Sequence, residues 1–105
     1  MEKVNKQVRF IELFNVYKDL LSATQQSVLE AYYCFDLSLS EIASERNISR
    51  AAVEDALKKG SQKLEEYEAA LHNLERKEEI LKLTAKIKEK HANIEEIEEI
   101  ERRLK

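Results

Sequence analysis

A chain of 105 residues with 43% hydrophobic content suits one domain with a modest core, and having no proline and a single glycine, Gly60, it has almost nothing to punctuate strands or tight hairpins. An all-α fold is expected. The net charge of −3 argues against a phosphate-gripping protein: residues 1–63 hold nine basic and nine acidic residues and 64–105 hold nine and twelve, with no basic surplus overall.

No apolar run approaches the ~20 residues that cross a bilayer, and MEKVNKQVRF lacks the apolar centre of a signal peptide, so a cytoplasmic chain without membrane insertion is expected. The lone cysteine, Cys34, stands among Tyr33, Phe35 and Leu37 and reads as a core residue.

In chain order, Val4, Val8, Ile11, Phe14, Tyr17 and Leu21 recur at threes and fours and predict a first helix over about 4–21. Ser22 followed by Gln25 is a capping-box pattern that opens a second helix carrying Val28, Leu29, Tyr32 and Tyr33, ending near Cys34 to Asp36. Ser38 with Glu41 repeats the pattern for a short third helix with Leu39, Ile42 and Ala43 inward, and Asn47 stops it. Ile48 plugs the turn and Ser49 caps a fourth helix, whose seam runs through Val53, Leu57, Gly60, Leu64, Tyr67, Leu71 and Leu74. Gly60 on that seam invites a close crossing, expected from helix one. Tyr17, Tyr32, Tyr33 and Tyr67 fall on helical seams and read as core before they read as stacking platforms for RNA.

A break is expected near His72 to Arg76, because Ile80, Leu83 and Ile87 form a face turned away from the seam. Asn93 with Glu96 opens a last helix with Ile94, Ile97, Ile100 and Leu104 on one side. These narrow faces must be buried against the domain, each other or a second chain. The basic stretch 76–90, six bases against three acids, and the acidic stretch 94–101, with five glutamates, are suited to pair as antiparallel neighbours.

The run from LLSATQQSVLEAYY to KKGSQKL resembles the fourth region of bacterial sigma factors. With Tyr32 and Tyr33, Ser38 to Ala43, Ile48 to Arg50 and Leu64 to Glu68 in order, about two-thirds of the chain is most similar to the small YlxM-like helix-turn-helix family; the tail from Asn73 matches nothing. The resemblance implies a sigma region 4-like core over 1–72 and a helical extension over 73–105, the latter part of the same unit or an oligomer interface. It further implies a bacterial, cytoplasmic, non-catalytic protein of the signal recognition particle pathway, inferred from accompanying genes, acting on the particle's GTPase. The partner is then a particle component, protein or RNA, with a homodimer left open.

In the sigma-like pattern, the positions matching Arg50, Ala51, Glu54 and Asp55 enter the major groove. With Val53 and Leu57 buried, the outward face of the fourth helix is Arg50, Ala51, Glu54, Asp55 and Lys58, and Ser49 and Lys59 complete the candidate surface for nucleic acid or a partner. Only Arg50 among the groove positions suits guanine or a phosphate, while Glu54 and Asp55 put negative charge against a polyanion. DNA is therefore a weak partner on this reading, and sequence-specific DNA binding through Arg50, Lys58, Lys59 and Lys63 is the alternative function. His72 and His91, nineteen apart without a partner cysteine, make no metal site, and the Glu-rich 95–101 run lacks the looping carbonyls of a calcium site. Neither a glycine-rich phosphate loop, a nucleophile elbow nor a Cys and His pairing is present, so neither catalysis nor a cofactor is expected.

Overall fold

The structure, a computed structural model, describes the backbone of residues 2–90 and 95–105 and the side chains of 7–90 and 95–105. Among these residues there are helices and turns and no strand, and no helix is long and apolar enough to cross a membrane. The chain divides into two compact units, Met1–Leu71 and His72–Lys105.

The first unit begins with α1, Glu2–Tyr17, which tightens into a 3₁₀ turn over Lys18–Leu20. Its buried arc is Leu13, Phe14, Tyr17 and then Leu21, whereas Val8 is 48% exposed. The expected row drifts because three successive steps of three, from 8 through 17, turn it back by about 60° each. Val8 ends opposite Tyr17. The side chain of Val4 lies outside the described residues.

Helix α2, Ala23–Leu29, opens on a complete capping box: the Ser22 hydroxyl accepts from the Gln25 N–H at 3.2 Å, and the Ser22 N–H donates to Gln25 Oε1 at 3.2 Å. It widens into a π turn over Glu30–Cys34 and ends where Asp36 takes φ 54°, with the Leu37 N–H donating to the Ala31 carbonyl at 3.0 Å. This wide turn leaves Cys34 exposed, contrary to the core position expected of it. What burial the thiol retains pushes its pKa up, Glu30 adds to that, and Lys18 opposes it.

Helix α3, Leu39–Arg46, is capped by the Ser38 and Glu41 box as its sequence predicts, and Asn47 ends it at φ 55°. The Ile48 N–H returns to the Ala43 carbonyl at 3.1 Å, and the Ile48 side chain plugs the turn against the core. Val28, Ala31, Ile42, Val53 and Ala56 form the centre of that core.

Helix α4, Arg50–Leu71, buries Val53, Ala56, Gly60, Leu64 and Glu68. A Cβ on Gly60 would lie 2.7 and 3.1 Å from the Leu29 methyls and 3.5 Å from the Gln25 Cβ. The helix that crosses at Gly60 is therefore α2, not α1. Helix α1 meets α4 further along: the Tyr17 hydroxyl donates to Glu68 at 2.6 Å, Tyr17 and Tyr67 pack ring to ring at 5.9 Å, and Arg9 pairs with Glu65 at 3.3 Å. The buried Glu68 carboxylate is tolerable because it is hydrogen-bonded.

In the second unit α5 spans Asn73–Lys90 and α6 spans Glu95–Leu104. His72 at φ 55° marks the expected break, and Leu74 belongs to α5 rather than to a continuous seam. The two helices join through Glu101, which accepts from Lys88 Nζ at 2.8 Å and from the Thr84 hydroxyl at 2.9 Å. Hydrogen bonding from Lys88 and then Thr84 holds the Glu101 pKa down, and the same bond to Glu101 raises that of Lys88. One acid of the 94–101 stretch thus meets one base of the 76–90 stretch. The row facing inward on α5 is Leu81, Thr84 and Lys88, so Ile80, Leu83 and Ile87 stay exposed, as does Ile100 on α6. His91, Asn93 and Ile94, which carry the expected last cap and the more distant histidine, lie outside the described residues.

Candidate nucleic-acid or partner interface

The α3–turn–α4 element presents its face through local chemistry. Ser49 does not stand free on it: its hydroxyl accepts from the Ala52 N–H at 3.0 Å and caps α4. With Val53 fully buried, the next turn must point Arg50, Ala51, Glu54, Asp55, Lys58 and Lys59 outward, and all six are exposed. The expected surface is therefore brought onto one stretch of helix.

Its electrostatics are largely self-contained. Arg50 Nε donates to Glu54 Oε1 at 3.3 Å and Arg50 Nη1 donates to Ser40 Oγ on α3 at 3.3 Å, while Lys59 Nζ meets Asp55 Oδ2 at 3.3 Å. Both ion pairs are exposed and four residues apart on the helix, so each contributes only a few tenths of a kcal/mol and opens readily. Their significance is directional. Each acid holds the cation that a phosphate would need, and Lys58 is the cation of this face for which no ion pair is seen among the described residues. Lys63, one turn beyond Lys59, is half-buried.

The tyrosines divide differently from the expectation. Tyr17 is core, but Tyr32 and Tyr33 are only partly buried, and with Phe10 they wall an open cavity outside the α4 face. Tyr33 exchanges a hydrogen bond with Ser61 at 3.2 Å, and partial burial raises its pKa against the lowering effect of that bond. Asp36 and Glu41, which the sequence marks only as a helix end and a capping residue, also line this cavity. The adjacent Tyr-Tyr pair was the available signal, because two bulky side chains with polar tips, about 100° apart on a helix, seldom both bury completely.

A family model described as "Putative helix-turn-helix protein, YlxM / p13 like" matches residues 4–103. The chain belongs to this family. UPF0122 proteins of Bacillus cereus (strain AH187), Bacillus anthracis (strain A0248) and Bacillus thuringiensis subsp. konkukian (strain 97-27) are each 42% identical over 97 residues, covering 88% of this chain and 88% of the relative. The YlxM / p13-like match extends through α5 and α6, so the tail, which has no motif of its own, belongs to the family pattern as well. Membership in a helix-turn-helix family points to a regulatory or DNA-binding role.

Proposed function

We propose that this chain is a cytoplasmic, non-catalytic regulator of the signal recognition particle pathway, in which 1–72 serves as a sigma region 4-like docking core and 73–105 as a helical extension. The observation that carries the reading is the near-balance of charge on the α4 face, where Glu54 lies beside Arg50 and Asp55 beside Lys59, which leaves a duplex little net attraction and offers a partner protein a face of alternating charge. Ser49, Arg50, Ala51, Glu54, Asp55, Lys58 and Lys59 are the residues assigned to that contact. The pathway itself rests on the likeness to YlxM-like proteins. Titration of the purified chain with the particle's GTPase, with its RNA and with a random-sequence duplex tests the proposal. Saturable binding to the GTPase or the particle supports it, whereas nanomolar selection of one duplex sequence, without either, makes the chain a DNA-binding transcriptional regulator.

Self-association belongs to the same proposal. A two-helix unit of 34 residues is below the size at which a chain buries enough apolar surface alone, and Ile80, Leu83, Ile87 and Ile100 are exposed on it. Sedimentation equilibrium is expected to give a dimer for the natural chain and a monomer for Leu83→Glu, Leu83 being the most exposed of the four at 59%. A monomeric natural chain removes this part.

A further inference from the structure

The cavity bounded by α1, the π turn and the start of α3 has no place in the proposal above. It encloses about 630 Å³, the size of a small-ligand site. Phe10, Tyr32 and Tyr33 form its apolar wall: Phe10 and Tyr33 stack with centroids 5.4 Å apart and 17° between planes, and Tyr32 meets Tyr33 edge-on at 5.0 Å. Asp36 and Glu41 are its charged residues, and no Lys or Arg lines it among the described residues. A second hollow of about 560 Å³ shares Leu37 and Glu41 with the first and adds Ser40, Ser44 and Glu45. The two adjoin along α3 at Leu37 and Glu41, and Glu45 at the far end is paired with Arg46 at 3.6 Å.

Two local features build the aromatic end. The π turn over Glu30–Cys34, which closes the C-terminal end of α2, carries both tyrosines. Asp36 follows in the left-handed region at φ 54°, where glycine would be free of strain, so the chain keeps a carboxylate at the cavity against a conformational penalty.

The combination selects the ligand by chemistry. Aromatic faces attract cations, and carboxylates take charge-assisted hydrogen bonds; a guanidinium lies flat on a ring while its N–H fork reaches a carboxylate. Nucleic-acid bases also stack on such rings, but their phosphates would meet Asp36 and Glu41. The geometry points to a groove for an arginine-bearing peptide segment of a partner protein, with one guanidinium laid on a ring of the wall formed by Phe10, Tyr32 and Tyr33 and held by Asp36 and Glu41. Arg50 of the α4 face reaches Ser40 of the second hollow at 3.3 Å, but none of the charged residues assigned to that face lines the aromatic cavity, so the cavity stands even if the regulatory proposal fails.

The test is calorimetric titration of the full chain with a blocked seven-residue peptide carrying two arginines, with the same peptide carrying neutral citrulline, and with oligouridine. The arginine peptide is expected to bind, and the citrulline peptide about tenfold more weakly, the equivalent of one charge-assisted contact. Asp36→Asn tolerates the left-handed backbone and removes only the charge; it should weaken the arginine peptide by about fivefold or more with an unchanged Tm. Asp36→Gly relieves the backbone strain and should raise Tm while weakening binding to a similar extent. No saturable heat up to about 1 mM peptide, equal binding of the citrulline peptide, or unchanged affinity in both Asp36 variants overturns the inference. So does oligouridine binding that strengthens in Asp36→Asn, which would give the groove to single-stranded nucleic acid.

Discussion

Replacing Glu54 by Arg and Asp55 by Gln is expected to raise the affinity of the chain for random-sequence duplex DNA by about tenfold or more at moderate salt. The formal charge of residues 49–60 is +1, from Arg50, Lys58 and Lys59 against Glu54 and Asp55, and the two replacements take it to +4. They also free Arg50 and Lys59 from the acids that hold them at 3.3 Å. The natural chain should bind duplex only at the ~10⁻⁴ to 10⁻⁶ M of nonspecific contacts, with a shallow salt dependence, and the variant should show a steeper one because each further phosphate neutralised adds about one counterion to the slope. Fluorescence anisotropy at two salt concentrations reads both quantities. The same double variant should lose affinity for a protein partner that uses this face, since complementary charges set the register of such contacts. If the natural chain selects one duplex at nanomolar affinity and the variant loses the preference, Glu54 and Asp55 are reading bases and the α4 face is a DNA reader.

Gly60→Leu is expected to destabilise the chain by about 1 to 3 kcal/mol, because a buried glycine facing Leu29 leaves no volume for a side chain. Gly60→Ala separates the two opposing effects. Alanine gains about 1 kcal/mol of helix propensity, while its Cβ, 2.7 Å from one Leu29 methyl, forces that fully buried side chain to turn within the core. The alanine variant should therefore melt within a few degrees of the natural chain and the leucine variant well below it. Because the neighbour is Leu29 on α2, combining Gly60→Leu with Leu29→Ala should be less damaging than the two single changes added together. A rise in Tm for Gly60→Leu would mean that α2 does not close over position 60.

The second expectation also shows where sequence reading stops. The alternating spacing of α4 identifies Gly60 as a seam position, and one glycine on a seam announces a close approach. Spacing along one helix carries no information about which other helix arrives. Helix α1 was the expected neighbour, yet its Tyr17 and Arg9 reach α4 nearer its C-terminal end, at Glu68 and Glu65. The same limit explains Val8 and Cys34. Steps of three and four are each compatible with one helix face, but a run of threes rotates off it, and an apolar neighbourhood in sequence does not say which side of a π turn meets the core. It applies again to α5, where Ile80, Leu83 and Ile87 are the obvious apolar row and the side that meets α6 is Leu81, Thr84 and Lys88.

What the sequence determined by itself was a set of caps, stops and exposed positions, each readable from the residues of one or two helical turns. The boxes at Ser22 and Ser38, the left-handed stop at Asn47, the Ser49 cap, the break at His72 and the outward set from Arg50 to Lys59 are all local, because a hydroxyl, an amide or a left-handed residue satisfies backbone groups of its own turn. The tertiary structure alone decided which helix covers Gly60, which acid is buried beneath Tyr17, and that Phe10, thirty-one residues before Glu41, shares a cavity with it. These contacts are set by the whole core, where each helix takes the orientation that fills volume jointly with the others, and no single helix's periodicity encodes that sum.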